Sequence, residues 1–169
     1  GSDGDQNGSG NSLVAWCWKA NGTGSSDTNG TINTAATSAN TTAGFSIVSY
    51  TGNASSSQTV GHGLGAVPHW IISKNRDNTS TNYNDWIIYH HKNATANDKK
   101  LKLNTSDAVS TTNEWGDTDP TSSVYSLHTS GDGTTNVSTN KIVSYVWTSI
   151  KGFSKFGKYE GNGSNDGPV

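Results

Sequence analysis

The sequence predicts an all-β fold, an antiparallel β-sandwich of jelly-roll type, and two observations support this prediction. Short apolar runs rich in β-branched and aromatic residues recur along the chain, separated by clusters of Gly, Asn, Ser and Thr, as in strands joined by turns. No stretch keeps the apolar period of an α-helix over the length that a helix needs. The predicted strands are LVAWCW (13–18), FSIVSY (45–50), HWIISK (69–74), DWIIYHH (85–91), LKL (101–103), VYSL (124–127) and IVSYVW (142–147).

These runs divide the chain into one main unit and two flanking pieces. Residues 1–12 are polar and glycine-rich, which predicts a linker or entering loop. Residues 13–147 hold all the predicted strands and form the sandwich unit, within which residues 19–43 are so polar that we expect one long loop. We expect residues 148–169 to begin a second unit or to pair with a neighbouring subunit.

An internal repeat underlies this division. The run LVAWCW aligns without a gap with IVSYVW (142–147), and GFSIVSYTGN (44–53) matches GFSKFGKYEGN (152–162) with one extra residue in the second copy. A β-bulge can absorb that extra residue. The sequence therefore predicts one full unit plus the start of a second, from a protein that carries such units in tandem.

The first of the repeated runs is apolar on both faces of a strand. A strand of this kind is enclosed between two sheets, or between a sheet and a neighbouring subunit. We therefore expect Trp16, Trp18 and Trp147 to lie in the core, together with Cys17, whose thiol would act as a small buried hydrophobic group.

Composition and charge narrow the range of partners. Only 30% of residues are hydrophobic, but six Trp, six Tyr and three Phe supply large side chains for a core. The formal net charge of −2 provides no dense basic face, so we expect no nucleic-acid partner. No apolar run reaches the length that crosses a membrane.

The segment GHGLGAVP (61–68) is the sharpest local motif. Gly61, Gly63 and Gly65 allow a turn with positive φ, and Pro68 sets an extended lead into the next strand. We favour a structural turn in which His62 hydrogen-bonds the backbone of the turn itself. The other interpretation is a cradle of backbone amides for a phosphate or a glycan. The nucleotide-binding versions do not fit, because no helix follows and the glycine run contains no Lys.

We expect no cofactor, although calcium is a weak candidate. Asp3, Asp5 and Asn7 alternate as in the start of a calcium loop, but Val14 stands where the Glu of that loop belongs. Zinc is disfavoured because His90 and His91 are adjacent in a predicted strand and so point to opposite faces. Asp132 and the segment DTDP (117–120) are comparably weak metal candidates.

Aromatic residues beside polar loops raise a glycan-binding hypothesis. Trp70, Trp86 and Trp115 adjoin such loops, and an exposed indole can stack on a sugar ring. For Trp115 the sequence leaves core and surface equally open. Glu114 beside it resembles half of a glycosidase acid pair, and the second acid would have to come from DTDP (117–120).

Several blocks resemble an uncharacterised β-rich repeat domain of tailed-bacteriophage virion proteins. The resemblance spans about residues 11–165, and its specific parts are AWCW, GHGLGAVP and the final GFSKFG block. It implies a tail-fibre or tail-associated protein, located in the virion or outside the cell, with other virion proteins as partners. That family has no established catalytic residues to carry over.

Taken together, these observations predict a structural protein rather than an enzyme. The expected role is to build an oligomeric virion or surface appendage and to present polar loops for host attachment. The alternative is a glycan-binding module that recognises a host-surface receptor. A surface glycoside hydrolase is the distant alternative.

Overall fold

The computed structural model describes residues 9–10, 12–77, 84–128 and 134–163. Within this part of the chain the secondary structure consists of β-strands and a single 3₁₀ turn at Ala96–Asp98. The strands are β1 (Ala36–Asn40), β2 (Phe45–Thr51), β3 (Gln58–Gly61), β4 (Trp70–Asn75), β5 (Trp86–His90), β6 (Lys99–Lys102), β7 (Ser110–Thr111), β8 (Val124–Leu127) and β9 (Lys141–Trp147). None of the described helices is long and apolar enough to span a membrane.

Seven of these strands form one antiparallel sheet in the order β1-β2-β9-β4-β5-β6-β7. The last strand in the sequence, β9, therefore lies near the middle of the sheet, between β2 and β4. Its final residue, Trp147, is opposite Phe45 on one side and Trp70 on the other. Strands β3 and β8 pair separately as a second, small sheet.

The main core lies between these two sheets. Along each central strand of the large sheet, every second side chain points inward and is buried, as the two-residue period of a strand requires. The small sheet contributes Val60, Tyr125 and Leu127 from the opposite side. The large sheet contributes Val48, Tyr50, Ile71, Ile87, Tyr89, Ile142 and Val146. The all-β sandwich predicted from the sequence is thus confirmed.

Two buried pairs of polar groups hold parts of this core together. The Ser73 and Ser144 hydroxyls, on adjacent strands, are 2.7 Å apart. The Tyr50 hydroxyl donates a hydrogen bond to the Thr135 carbonyl oxygen at 2.7 Å. Since an unpaired buried polar group destabilises a fold by about 1–3 kcal/mol, the first pair stabilises the contact of β4 with β9, and the second stabilises the contact of β2 with the loop before β9.

The expectation that residues 13–18 form a buried strand is wrong. The segment makes no ladder, and Trp16 is 78% exposed and Trp18 51% exposed. Cys17, expected to be a buried thiol, is exposed as well. The physical reason is that the position this run would fill, between β2 and β4, is occupied by its own repeat copy, β9.

The expectation of one long loop over residues 19–43 is also wrong. Strand β1 lies inside this segment and pairs with β2 at the edge of the large sheet. Ile32, from the same segment, is buried in the main core. The sequence did not reveal β1 because its residues, ATSAN, are small and polar, and an edge strand can be held by its backbone ladder alone. By contrast, residues 148–163 contain no strand, only an isolated bridge between Ile150 and Ser154.

Two tryptophans provide a direct test of this arrangement. Trp115 is 1% exposed and its ring contacts those of Tyr89 and Tyr125, whereas Trp16 is largely exposed. We expect Trp115→Ala to lower the free energy of unfolding by about 3–5 kcal/mol. The matched control Trp16→Ala should change it by about 0.5 kcal/mol or less. Urea unfolding of both variants measures this difference, and equal losses would contradict the structure.

Candidate functional site: the aromatic outer face of the large sheet

The large sheet has a second apolar face, directed away from the main core, which we call the outer face. Most of the side chains that alternate with the inward-pointing ones on β2, β4, β5 and β9 are also apolar. Four of them are buried as a separate cluster: Phe45, Ile72, Ile88 and Trp147. Partly buried residues packed against this cluster are Ala20, Ile47, Trp70, Trp86, Leu101, Tyr145 and Phe156.

Aromatic rings dominate the centre of the outer face. The Trp147 ring lies 5.0 Å from that of Trp70, in a stacked arrangement, and 5.0 Å from that of Phe45. Tyr145, two residues earlier on the same side of β9, stacks on Trp86 with ring centroids 6.4 Å apart. Rings at these separations attract one another beyond the area they bury, so they form a rigid apolar surface.

An open groove of about 440 Å³ runs over part of this surface. The floor comes from the sheet, and one wall comes from residues 16–18, of which Trp18 approaches Trp147 to 5.4 Å, edge to face. No charged side chain is among the described residues that line the groove. These residues are Trp16, Cys17, Trp18, Phe45, Ile47, Ile72, Trp86, Tyr145 and Trp147. Such a surface binds apolar groups well, but it offers few directional hydrogen bonds.

The segment after β9 covers another part of the outer face. The Phe156 ring packs against that of Trp70 at 5.6 Å. Two histidines fasten this segment to the sheet: His91 Nε2 lies 3.0 Å from the Phe156 carbonyl oxygen, and the Ser149 N–H donates to His69 Nδ1 at 2.8 Å. Neither contact could be read from the sequence, because the residues involved lie about 60–80 positions apart.

The histidines form a cluster but not a metal site. The rings of His69 and His91 lie 4.3 Å apart, and those of His90 and His91 lie 5.4 Å apart. Among the described residues, however, no group of three or more ligand side chains is arranged to hold a metal ion. Asp3, Asp5 and Asn7, the calcium candidates, lie outside the described residues, as does Asp132.

The glycine-rich segment has the backbone conformation predicted for a turn at two of its three glycines. Gly63 and Gly65 have φ of +68° and +67°, a conformation that glycine adopts without strain. The Leu64 N–H donates to His62 Nδ1 at 3.3 Å, so the expected bond from the histidine to its own turn is confirmed. Gly61 differs from the expectation, because it ends β3 with ordinary φ. A Cβ there would overlap the Asp27 carboxylate.

After Pro68 the chain enters β4, as expected. Beside the turn lies a polar cavity of about 400 Å³ that includes Gly63 in its lining. Asp27 supplies a carboxylate to the lining of this cavity. Its Oδ1 accepts hydrogen bonds from both the backbone and the side chain of Asn29 at 2.8 Å. The described lining of this cavity contains no aromatic ring.

The sequence candidates at Glu114 and Trp115 are not at the surface. Trp115 belongs to the main core, and the Glu114 carboxylate is fully buried. Glu114 lies 3.4 Å from the Lys100 ammonium and accepts a hydrogen bond from the Thr135 hydroxyl at 2.9 Å. Burial raises the pKa of Glu114, and Lys100 and Thr135 oppose that rise. The prediction that Trp115 and Glu114 contact a glycan is therefore wrong, and so is the hypothesis that Glu114 is an exposed catalytic acid.

Of the other candidates, Trp70 and Trp86 are half-buried on the outer face, and only Trp86 lines the groove. Asp117 is exposed. Asp119 lies beside the Tyr89 hydroxyl, and burial together with this carboxylate raises the pKa of Tyr89 to about 12. The sequence analysis missed the outer face as a site. The available signal was the run of residues 85–91, in which both alternating sets of side chains are apolar near the start.

The histidine cluster predicts a pH dependence. Burial lowers the pKa of His69 and of His90 below the ordinary 6.5, and the nearby His91 and Lys92 lower both further. In the unfolded chain these imidazoles take up protons as the pH falls below about 6.5, whereas in the folded chain they resist protonation. We therefore expect the contribution of these histidines to stability to be constant above about pH 6.5 and to decrease as the pH falls below that value.

Thermal unfolding at pH 7.5 and pH 5.5 measures this effect. The double variant His69→Gln/His90→Gln should lose less of its melting temperature between the two pH values than the unaltered chain does. The control His128→Gln, after β8 of the small sheet, should retain the full dependence. An unchanged dependence in the double variant would assign it to other groups.

Comparison with known proteins identifies a family but no individual relative. No curated protein and no solved structure is measurably similar to the chain. The family model of a domain of unknown function, DUF7483, matches residues 1–169. Because that match spans the whole chain, the protein belongs to the DUF7483 family.

Proposed function

We propose that this protein is a structural module of a virion or comparable surface appendage, in which further units of the same kind cover the outer face. The observation that carries the proposal is the aromatic groove of that face, bordered by an apolar segment that the chain itself does not bury. The resemblance of the sequence blocks to phage virion repeats supports the setting.

Exposed apolar side chains border the groove. In residues 13–18, Leu13, Val14, Trp16 and Trp18 are all exposed, and Trp16 and Trp18 line the groove itself. Contiguous apolar patches on soluble proteins mark sites where another molecule binds. Aromatic residues, Trp and Tyr in particular, are also the types that dominate the energy of protein interfaces.

A second copy is the partner that fits this surface. The groove lining carries no charged side chain among the described residues, so it selects a partner by shape and apolar contact rather than by charge. The chain's own formal net charge of −2 imposes little repulsion between copies. The Asn-, Ser- and Thr-rich loops then remain as a hydrated, neutral exterior.

Glycan binding is the second candidate, favoured by the exposed Trp16 and Trp18 beside Trp86. A sugar site combines an aromatic platform with carboxylate or amide groups that bind hydroxyls. The aromatic groove has the platform but few such polar groups. The cavity beside Gly63 has Asp27 and several amides and hydroxyls but no ring. Neither place unites both requirements, which is why we favour assembly. A hydrolase is not proposed, since its named acid, Glu114, is buried against Lys100.

Sedimentation velocity over a concentration series, with electron microscopy of the same samples, tests this proposal. We expect oligomers or filaments of the unaltered chain, because burying the groove removes apolar surface from water. The variant Trp16→Ser/Trp18→Ser should remain monomeric. The control Val109→Ser, which removes an exposed apolar side chain away from the groove, should assemble normally.

Two other outcomes would redirect the interpretation. A monomer at every concentration would reject assembly through this face. If that monomer bound immobilised glycans and lost binding in the Trp16→Ser/Trp18→Ser variant, the receptor-recognition candidate would replace the structural one.

A further inference from the structure

Two repeat blocks of this chain have no place in its own sheet. The adjacent strands β2 and β9 come from different copies of the repeat. Strand β2 lies in the GFSIVSY block of the first copy, and β9 contains the IVSYVW block of the second. The blocks left over are residues 13–18 and 152–162, one of each kind. Neither forms a strand ladder in the structure.

The left-over block 13–18 has the side-chain alternation that the β9 position demands. In β9, the inward positions hold Ile142, Ser144 and Val146, and the outward aromatic positions hold Tyr145 and Trp147. The aligned residues repeat this arrangement: Leu13, Ala15 and Cys17 match the inward set, and Trp16 and Trp18 match the outward aromatics. Because a one-residue slip would exchange the two faces, the agreement in both sets fixes the register of the match.

One backbone feature is also common to the two copies. The glycine that opens the second matching block has a positive φ in both copies, +64° at Gly44 and +79° at Gly152. At Gly44, in the turn between β1 and β2, a Cβ would lie 2.7 Å from the Thr148 carbonyl oxygen and 2.7 Å from Ile150, whereas at Gly152 it would meet nothing within 4 Å. The two glycines thus share a backbone conformation, although only Gly44 leads into a strand here.

The outer face of the chain's own sheet does not replace the missing ladder. Trp18 alone in block 13–18 makes ring contacts there, with Phe45 and Trp147. Every residue from 13 to 18 remains exposed, whereas six of the seven residues of β9 are half-buried or buried, and two ladders pair its backbone. The position that suits this block is therefore a β9 position.

We propose that Leu13–Trp18 is the β9-type strand of another unit of this fold, inserted between the β2 and β4 strands of that unit. The partner is a unit that lacks its own β9-type strand. Each such strand then completes the large sheet of one unit, and the chain that follows it begins the next unit, as the block 152–162 follows β9 here. The inference rests on the proposed assembly role in one respect, since it requires a second unit to be present.

Grafting the block into the β9 position of the full chain tests the fit. The graft combines Ile142→Leu, Ser144→Ala, Tyr145→Trp and Val146→Cys, with Cys17→Ser so that the thiol at position 146 is the single one. We expect a folded protein whose melting temperature falls by about 10 °C or less. Labelling of the thiol at position 146 should be roughly 100-fold slower than that of Cys17 in the unaltered chain, because labelling awaits local opening.

Two further variants make the outcome decisive. A control carries the same six residue types as WLVAWC at 142–147, which places both indoles inward, and should not fold. A second graft keeps Ser144, whose hydroxyl pairs with Ser73, so that loss of this one contact does not mask the fit. Folding with a protected thiol in either graft supports the inference. Unfolding, or labelling as fast as that of Cys17, in both grafts overturns it.

This experiment separates the inference from the proposed function. The grafts report whether the block fits a β9 position, and they do so in a monomer. Sedimentation of the unaltered chain reports whether the outer face assembles. A graft that folds alongside a chain that never assembles would retain the strand inference and reject assembly through the outer face.

Discussion

The two ladders that β9 makes with β2 and β4 are the interaction on which the rest of the structure depends. Without β9 the large sheet separates into a β1–β2 pair and a β4–β7 group, since no described ladder joins them directly. The backbone groups of both neighbours would then lose their partners, at a free-energy cost for each buried group. The same strand supplies Ile142 and Val146 to the core between the sheets and Trp147 to the outer face.

A strand enclosed on both faces needs cover from two directions, and the chain provides complete cover for only one of them. The small sheet and its loops seal the inner face, where Val48, Ile71 and Val146 are fully buried. On the outer face, Phe156 and Trp18 cover Trp147, while the groove beside them stays open. The candidate site thus arises from the fold itself. The large sheet has apolar side chains on both faces, and one sandwich covers only one of those faces completely.

The sequence predicted β2, β4, β5, β6, β8 and β9 and the glycine turn because all of these depend on local chemistry. The run at residues 85–91 and the bond of His62 to its own turn follow from neighbours in the chain. Burial of particular tryptophans was predicted less well. Trp16 has the setting of a core residue, yet its place in the sheet is taken by a repeat copy. Trp115 lies in a polar loop, yet contacts far along the chain enclose it. A pattern shows that a residue suits burial, but not which unit will bury it.

The position of β9 at the end of the unit has a consequence for how the chain folds. Phe45 pairs with Trp147, about a hundred residues later, so the central ladder is one of the least local in the molecule. Until β9 has been synthesised, β2 and β4 have free edges, and the earlier run 13–18, with the same alternation, is already present. An early β2 ladder with that run would have to break before β9 could pair. We therefore expect folding of this unit to involve a competition between two similar strands for one position, in which the strand synthesised later forms the native sheet.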